Sequence, residues 1–169
     1  METVNNFLHL DNHVRNAWVT KKFSDGTILD LSDGANEQGF IVKTDGIFEI
    51  KIKNQKVYNC KDGREIVATT FNLNSFMGYA GGHTHPRGVE KYPGPVDGNI
   101  AKNRFNDGKI SYVITYKGAY AVEWTGTTFI IRNLIGFKIS DKKIQSLINK
   151  WTKNKPRKRQ QSMRDFVCQ

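Results

Sequence analysis

His83 and His85 stand one residue apart in Gly81-Gly82-His83-Thr84-His85-Pro86, and Pro95-Val96-Asp97 follows after a loop rich in glycine and proline. On a helix the two imidazoles would point apart; on an extended strand, where side chains alternate, they share one side. Pro86 has no N–H to give to a ladder and biases His85 toward extended geometry, so the strand is expected to end just after the pair. Both rings would then hang from a strand end beside a loop. Asp97, 12 residues beyond His85, offers an anionic oxygen. Two histidines and one carboxylate are a normal three-ligand set for catalytic zinc, with water in the fourth position. Asp97 has a second reading as the N-cap of a helix whose Ile100, Ala101 and Phe105 face inward. A carboxylate can do both.

The elements that must position these residues are short and regular. Residues 2 to 22 carry an imperfect helical stripe of Val4, Phe7, Leu8, Val14, Ala17 and Trp18, interrupted at Asp11 and Asn12, and predict one helix or two short ones covering a sheet. His9 and His13 share a face of that helix; with no carboxylate or cysteine pattern to complete a ligand set, they read as solvated. Gly39 to Lys43, the turn Thr44-Asp45-Gly46 and the run Ile47 to Lys53 predict a hairpin, with Phe48, Ile50 and Ile52 on one face and Glu49, Lys51 and Lys53 on a wet one. Ile66 to Phe71 reads as a strand. Three runs, Ser111–Tyr116, Ala119–Trp124 and Thr127–Arg132, are separated by turns at Lys117-Gly118 and Thr125-Gly126 and predict an antiparallel meander. Its aromatics read as sheet packing. Asp141 to Trp151 predicts a helix capped by Ser140, with Ile144, Leu147, Ile148 and Trp151 as its apolar stripe. Residues 1–138 read as the core and 139–169 as a C-terminal helix with a basic tail.

The run around the histidines resembles the His-x-His-Pro…x-x-Asp signature of the JAMM (JAB/MPN-type) zinc metallopeptidases, and more closely still the JAB-like toxin domains of bacterial polymorphic toxins and effectors. The likeness covers roughly residues 30 to 132, and its short motif is the specific part. It implies an α+β fold of the JAMM/cytidine-deaminase-like kind: a mixed, largely antiparallel sheet with an N-terminal helix, a helix after the motif and a C-terminal helix. It also implies Zn2+ on His83, His85 and Asp97, and a general base supplied by a Glu near a Gly some tens of residues upstream. Asn36-Glu37-Gln38-Gly39 fits that place, with Glu37 46 residues before His83. The implied activity is hydrolysis of a peptide or isopeptide bond in a protein or peptide substrate, in a bacterial toxin or effector. One position departs from the motif: its Ser, three residues before the Asp, is Gly94 here. A backbone N–H or the metal itself would have to stabilise the tetrahedral intermediate instead.

At 169 residues, with 38% hydrophobic and 11% aromatic residues, the chain reads as one domain able to bury a core. The start, Met1-Glu2-Thr3-Val4-Asn5-Asn6, lacks the basic and apolar regions of a Sec signal. No run reaches the roughly 18–20 apolar residues of a membrane helix, so the expectation is a soluble protein, cytoplasmic in its producer or delivered by a secretion system. Cys60 and Cys168 form no framework, and a structural bridge so near the terminus is not expected. Net charge is +10 and favours acidic partners, whether nucleic acid, an anionic surface or an acidic immunity protein. Most of it is local: ten basic residues and one acid, Asp141, lie between Lys138 and Arg164. Two further functions stay open: a metal- or His-dependent nuclease toxin binding nucleic acid through its basic tail, and a noncatalytic JAMM-like scaffold.

Overall fold

The computed structural model describes residues 4–71, 80–94, 97, 101, 110–153 and 163–168. The chain opens with helix α1 (Val4–Thr20), then runs through β1 (Gly39–Lys43), β2 (Gly46–Ile50), β3 (Ile52–Asn59) and β4 (Glu65–Phe71). After these come β5 (Ala80–His85), β6 (Ile110–Thr115), β7 (Gly118–Trp124), β8 (Phe129–Gly136), α2 (Asp141–Lys153) and α3 (Met163–Val167). Six strands make one sheet in the order β2-β1-β5-β6-β7-β8, and β3 pairs with β4 separately. Only β5 and β6 are parallel. The architecture is α+β, with a mixed, mostly antiparallel sheet and helices from both ends of the chain. Asp97 and Ala101 are helical; the rest of the helix expected there, the stretch 72–79 and the tail segment 154–162 lie outside the described residues. No helix among the described residues is long and apolar enough to cross a membrane.

Strands β6 and β7 are buried on both faces, which is why their sequences are apolar without a wet alternation. On one face Phe40, Val42, Ile47, Tyr112 and Ile114 pack under α1 through Val14 and Ala17. On the other, Tyr120, Val122 and Phe129 meet Leu147 and Trp151 of α2, with Ala101 alongside. The N–H of Lys143 bonds the Ser140 hydroxyl at 3.2 Å, so Ser140 caps α2 as its sequence suggested.

The expected single strand from Ile47 to Lys53 divides at Lys51, and its faces are reversed. The two-residue turn Thr44-Asp45 sets Lys43 opposite Gly46 and Val42 opposite Ile47. Ile47 therefore enters the core beneath α1, while Phe48 and Ile50 are only half-buried. A one-residue difference in register exchanges every face, and apolar alternation alone left the choice open.

Asp11 likewise interrupts the apolar stripe of α1 only on paper. It is fully buried, accepts 2.6 Å and 3.2 Å bonds from the Arg132 guanidinium on β8, and accepts the Tyr112 hydroxyl at 2.7 Å. Arg132 also reaches Glu123 at 3.2 Å. Burial, together with the Asp11 carboxylate, pushes the Tyr112 phenol well above its ordinary range. Asp11→Ala strips the phenol and the guanidinium of their shared acceptor. It should cost about 3 kcal/mol, the low end for breaking a buried pair, because the Arg132 side chain is 31% exposed and can rehydrate. Urea unfolding of this variant checks it; a change under about 0.5 kcal/mol would mean the network is dispensable.

The cysteines correct another expectation. Cys60, buried, is bonded to Cys168 across 108 residues, and no described cysteine is free. The terminal helix α3 thereby docks beside the β3–β4 hairpin, where Arg64 also bonds the Cys168 carbonyl at 2.6 Å. A terminal cysteine is a sound anchor once its helix has a surface to return to. Closing so long a loop should stabilise the chain by about 2–4 kcal/mol. Cys168→Ser should lower the unfolding midpoint accordingly, and an unchanged midpoint would show the bridge to be ornamental.

Candidate metal centre

The centre is built where two parallel strands end. A parallel pair needs a crossover, here residues 86–109 between β5 and β6, and the crossover brings Asp97 back over the end of β5. His83 and His85 lie opposite Val113 and Thr115 on the face that α2 covers. Thr84, pointing the other way, is fully buried, and its hydroxyl accepts the Gln38 N–H at 2.8 Å. Gly82 has no room for a side chain: a Cβ there would stand 2.5 Å from the Phe40 ring and press on the Tyr112 carbonyl.

The structure brings together the three ligands read from the sequence. His83, His85 and Asp97 are all buried, and one donor atom from each lies within 4.8 Å of the others. The two Nε2 atoms are 3.2 Å apart; Asp97 Oδ1 is 2.7 Å from His83 Nε2, and Oδ2 is 3.7 Å from His85 Nε2. A tetrahedral ion with bonds of about 2.0–2.1 Å sets its ligand atoms about 3.3 Å apart. The Nε2–Nε2 separation matches that value, while the two Asp97 contacts, one from each carboxylate oxygen, lie to either side of it.

Two further contacts orient the group. Glu90 O accepts from His85 Nδ1 at 3.1 Å, which leaves the Nε2 lone pair pointing to the centre, the usual outer support of a metal-bound imidazole. Asp97 Oδ1 is buried and unaligned for any hydrogen bond although His83 Nε2 is close, whereas Oδ2 accepts the Gly94 N–H at 2.6 Å. One carboxylate oxygen is fixed by the Gly94 amide and the other faces His83. Burial works against charge on His83, but the Asp97 carboxylate, with help from Glu37, outweighs it and pushes His83 up to about 9. Burial also works against a charged Asp97, and the two histidines and the Gly94 amide outweigh it, holding that carboxyl below its usual range.

Asp97 lies inside its helix rather than ahead of it. Its carboxylate accepts the Gly94 N–H, one half of a capping box, and its own N–H donates to the Gly94 carbonyl at 3.1 Å in a backbone turn. A Cβ on Gly94 would stand 2.6 Å from Glu90 Oε2, the tip of an exposed and flexible side chain.

Glu37 is not one of the three clustered ligands. Glu37 is half-buried two residues ahead of β1, whose Gly39 pairs with His83, and its charge acts on His83.

The residues that sequence reasoning missed are the supports. Thr115 donates to Lys91 O at 2.8 Å, Arg87 N–H to Leu31 O at 3.0 Å and Tyr116 N–H to His85 O at 3.1 Å, which together hold the loop after β5 open. These are mostly backbone contacts and leave no mark in residue type. Of the basic segment, Lys142, Lys150 and Lys153 lie on one exposed face of α2 with Gln145, Ser146 and Asn149. No family model, curated protein or solved structure matches the chain.

Proposed function

We propose that the chain is a zinc-dependent hydrolase of JAMM type that cleaves a peptide or isopeptide bond, working as a bacterial toxin or effector. The observation that carries this reading is the buried convergence of His83, His85 and Asp97, with the Glu37 charge acting on His83. Zinc held there would lower the pKa of a water toward about 7 and polarise the scissile carbonyl. His85 is kept in the ligating tautomer by Glu90 O, and Asp97 is oriented by the Gly94 amide. Glu37 takes a proton from the attacking water as its oxygen joins the carbonyl carbon. As the C–N bond breaks, Glu37 returns that proton to the leaving amine. The Cys60–Cys168 bridge suits an oxidising setting, in keeping with an effector that leaves its producer.

A second reading, hydrolysis of nucleic acid, draws on the exposed lysine face of α2, which suits a phosphate backbone. A third, a scaffold without activity, draws on Gly94 standing where the motif has its Ser. Cleavage assays on isopeptide-linked proteins and peptidoglycan peptides, run beside RNA and DNA, separate them. Peptide cleavage abolished by chelation supports the proposal; chelator-sensitive nucleic-acid cleavage alone replaces it with the second reading.

A further inference from the structure

His9 and His13 lie one turn apart on α1, which packs on the sheet face opposite the His83 centre. Both rings bend to the same atom. His9 Nε2 is 2.7 Å and His13 Nε2 3.0 Å from the carbonyl oxygen of Thr44, in the turn joining β1 to β2. The rings meet edge to face with centroids 4.7 Å apart. Two imidazole nitrogens and one oxygen thus converge at a single exposed point, although sequence alone offered no third group for the pair.

We propose that His9, His13 and the Thr44 carbonyl form a second, exposed site for a borderline divalent transition-metal ion. Histidines four apart on one helix face form a chelating pair, and imidazole favours copper and nickel over the harder cations. In the chain as it stands each Nε2–H donates to the carbonyl. On binding, each imidazole moves that proton to Nδ1, where solvent accepts it, and turns its Nε2 lone pair to the ion. The three donors come from α1 and from the β1–β2 turn, so the ion cross-links helix to hairpin. With three ligands and no buried support, this site is weaker than the His83 centre. It makes no use of the proposed hydrolase activity.

The test uses Ni2+ on the full chain. Calorimetric titration should resolve two classes of site, and H9Q/H13Q should weaken the lower-affinity class by about tenfold or more while leaving the other intact. In H83A/H85A the weaker class should persist. The unaltered chain supplies a check that needs no variant: Ni2+ should protect His9 and His13 from diethyl pyrocarbonate, read by peptide mass. Equal modification of both histidines with and without Ni2+ overturns the site, as does an H9Q/H13Q chain that binds Ni2+ like its parent.

Discussion

Glu37→Gln should keep its metal and lose its chemistry. The carboxylate is close enough to act on the charge of His83 yet outside the three-residue cluster, so a neutral isostere leaves the ligand set whole. What disappears is the base that takes a proton from water and returns it to the leaving group. General acid–base catalysis by one side chain contributes about 10^2–10^4-fold, and the fall in kcat should lie in that range with KM little changed. Metal content and unfolding midpoint should match the parent. Loss of metal on this change would make Glu37 a ligand, and full activity would remove it from the mechanism.

His83→Ala, His85→Ala and Asp97→Ala act at the other end of the site. Each removes one of three donors around a doubly charged ion, and the remaining pair cannot hold it. Ligation by such a set contributes on the order of 10–16 kcal/mol in structural zinc sites, so loss of a single ligand should empty the centre at ordinary metal concentrations. A double variant should bind scarcely less metal than either single one, because the three form one network. The contrasting outcome is specific to Asp97. Were the carboxylate only part of a helix cap, Asp97→Ala would cost about 1 kcal/mol and leave metal stoichiometry as it was.

Much of this site was legible because its chemistry is written in residue types. His-Thr-His-Pro marks both the shared face and the strand end, and Gly39 to Lys43 locates the strand that pairs with it. The β6–β8 meander and the Ser140 cap were legible for the same reason, since turns and caps have side-chain signatures. Pairing partners do not. Nothing in Ala80–His85 says that it runs parallel to Ile110–Thr115, yet that arrangement is what returns Asp97 to the histidines. The face of β2 depended on a two-residue turn rather than on its apolar alternation. Asp11 looked like a break in a stripe because its partner, Arg132, is 121 residues away. Cys168 looked idle because the hairpin that receives it is equally remote. In each case the deciding contact is long-range, and local pattern carries no information about it.

The zinc content of untagged protein, purified from cells grown with ample metal and counted after weak sites are stripped by gel filtration, bears on the whole account. About one zinc per chain in the parent, and almost none in Asp97→Ala of equal fold, is the predicted outcome. A parent chain free of zinc, or an Asp97→Ala chain that still holds one ion, would contradict the His83–His85–Asp97 centre.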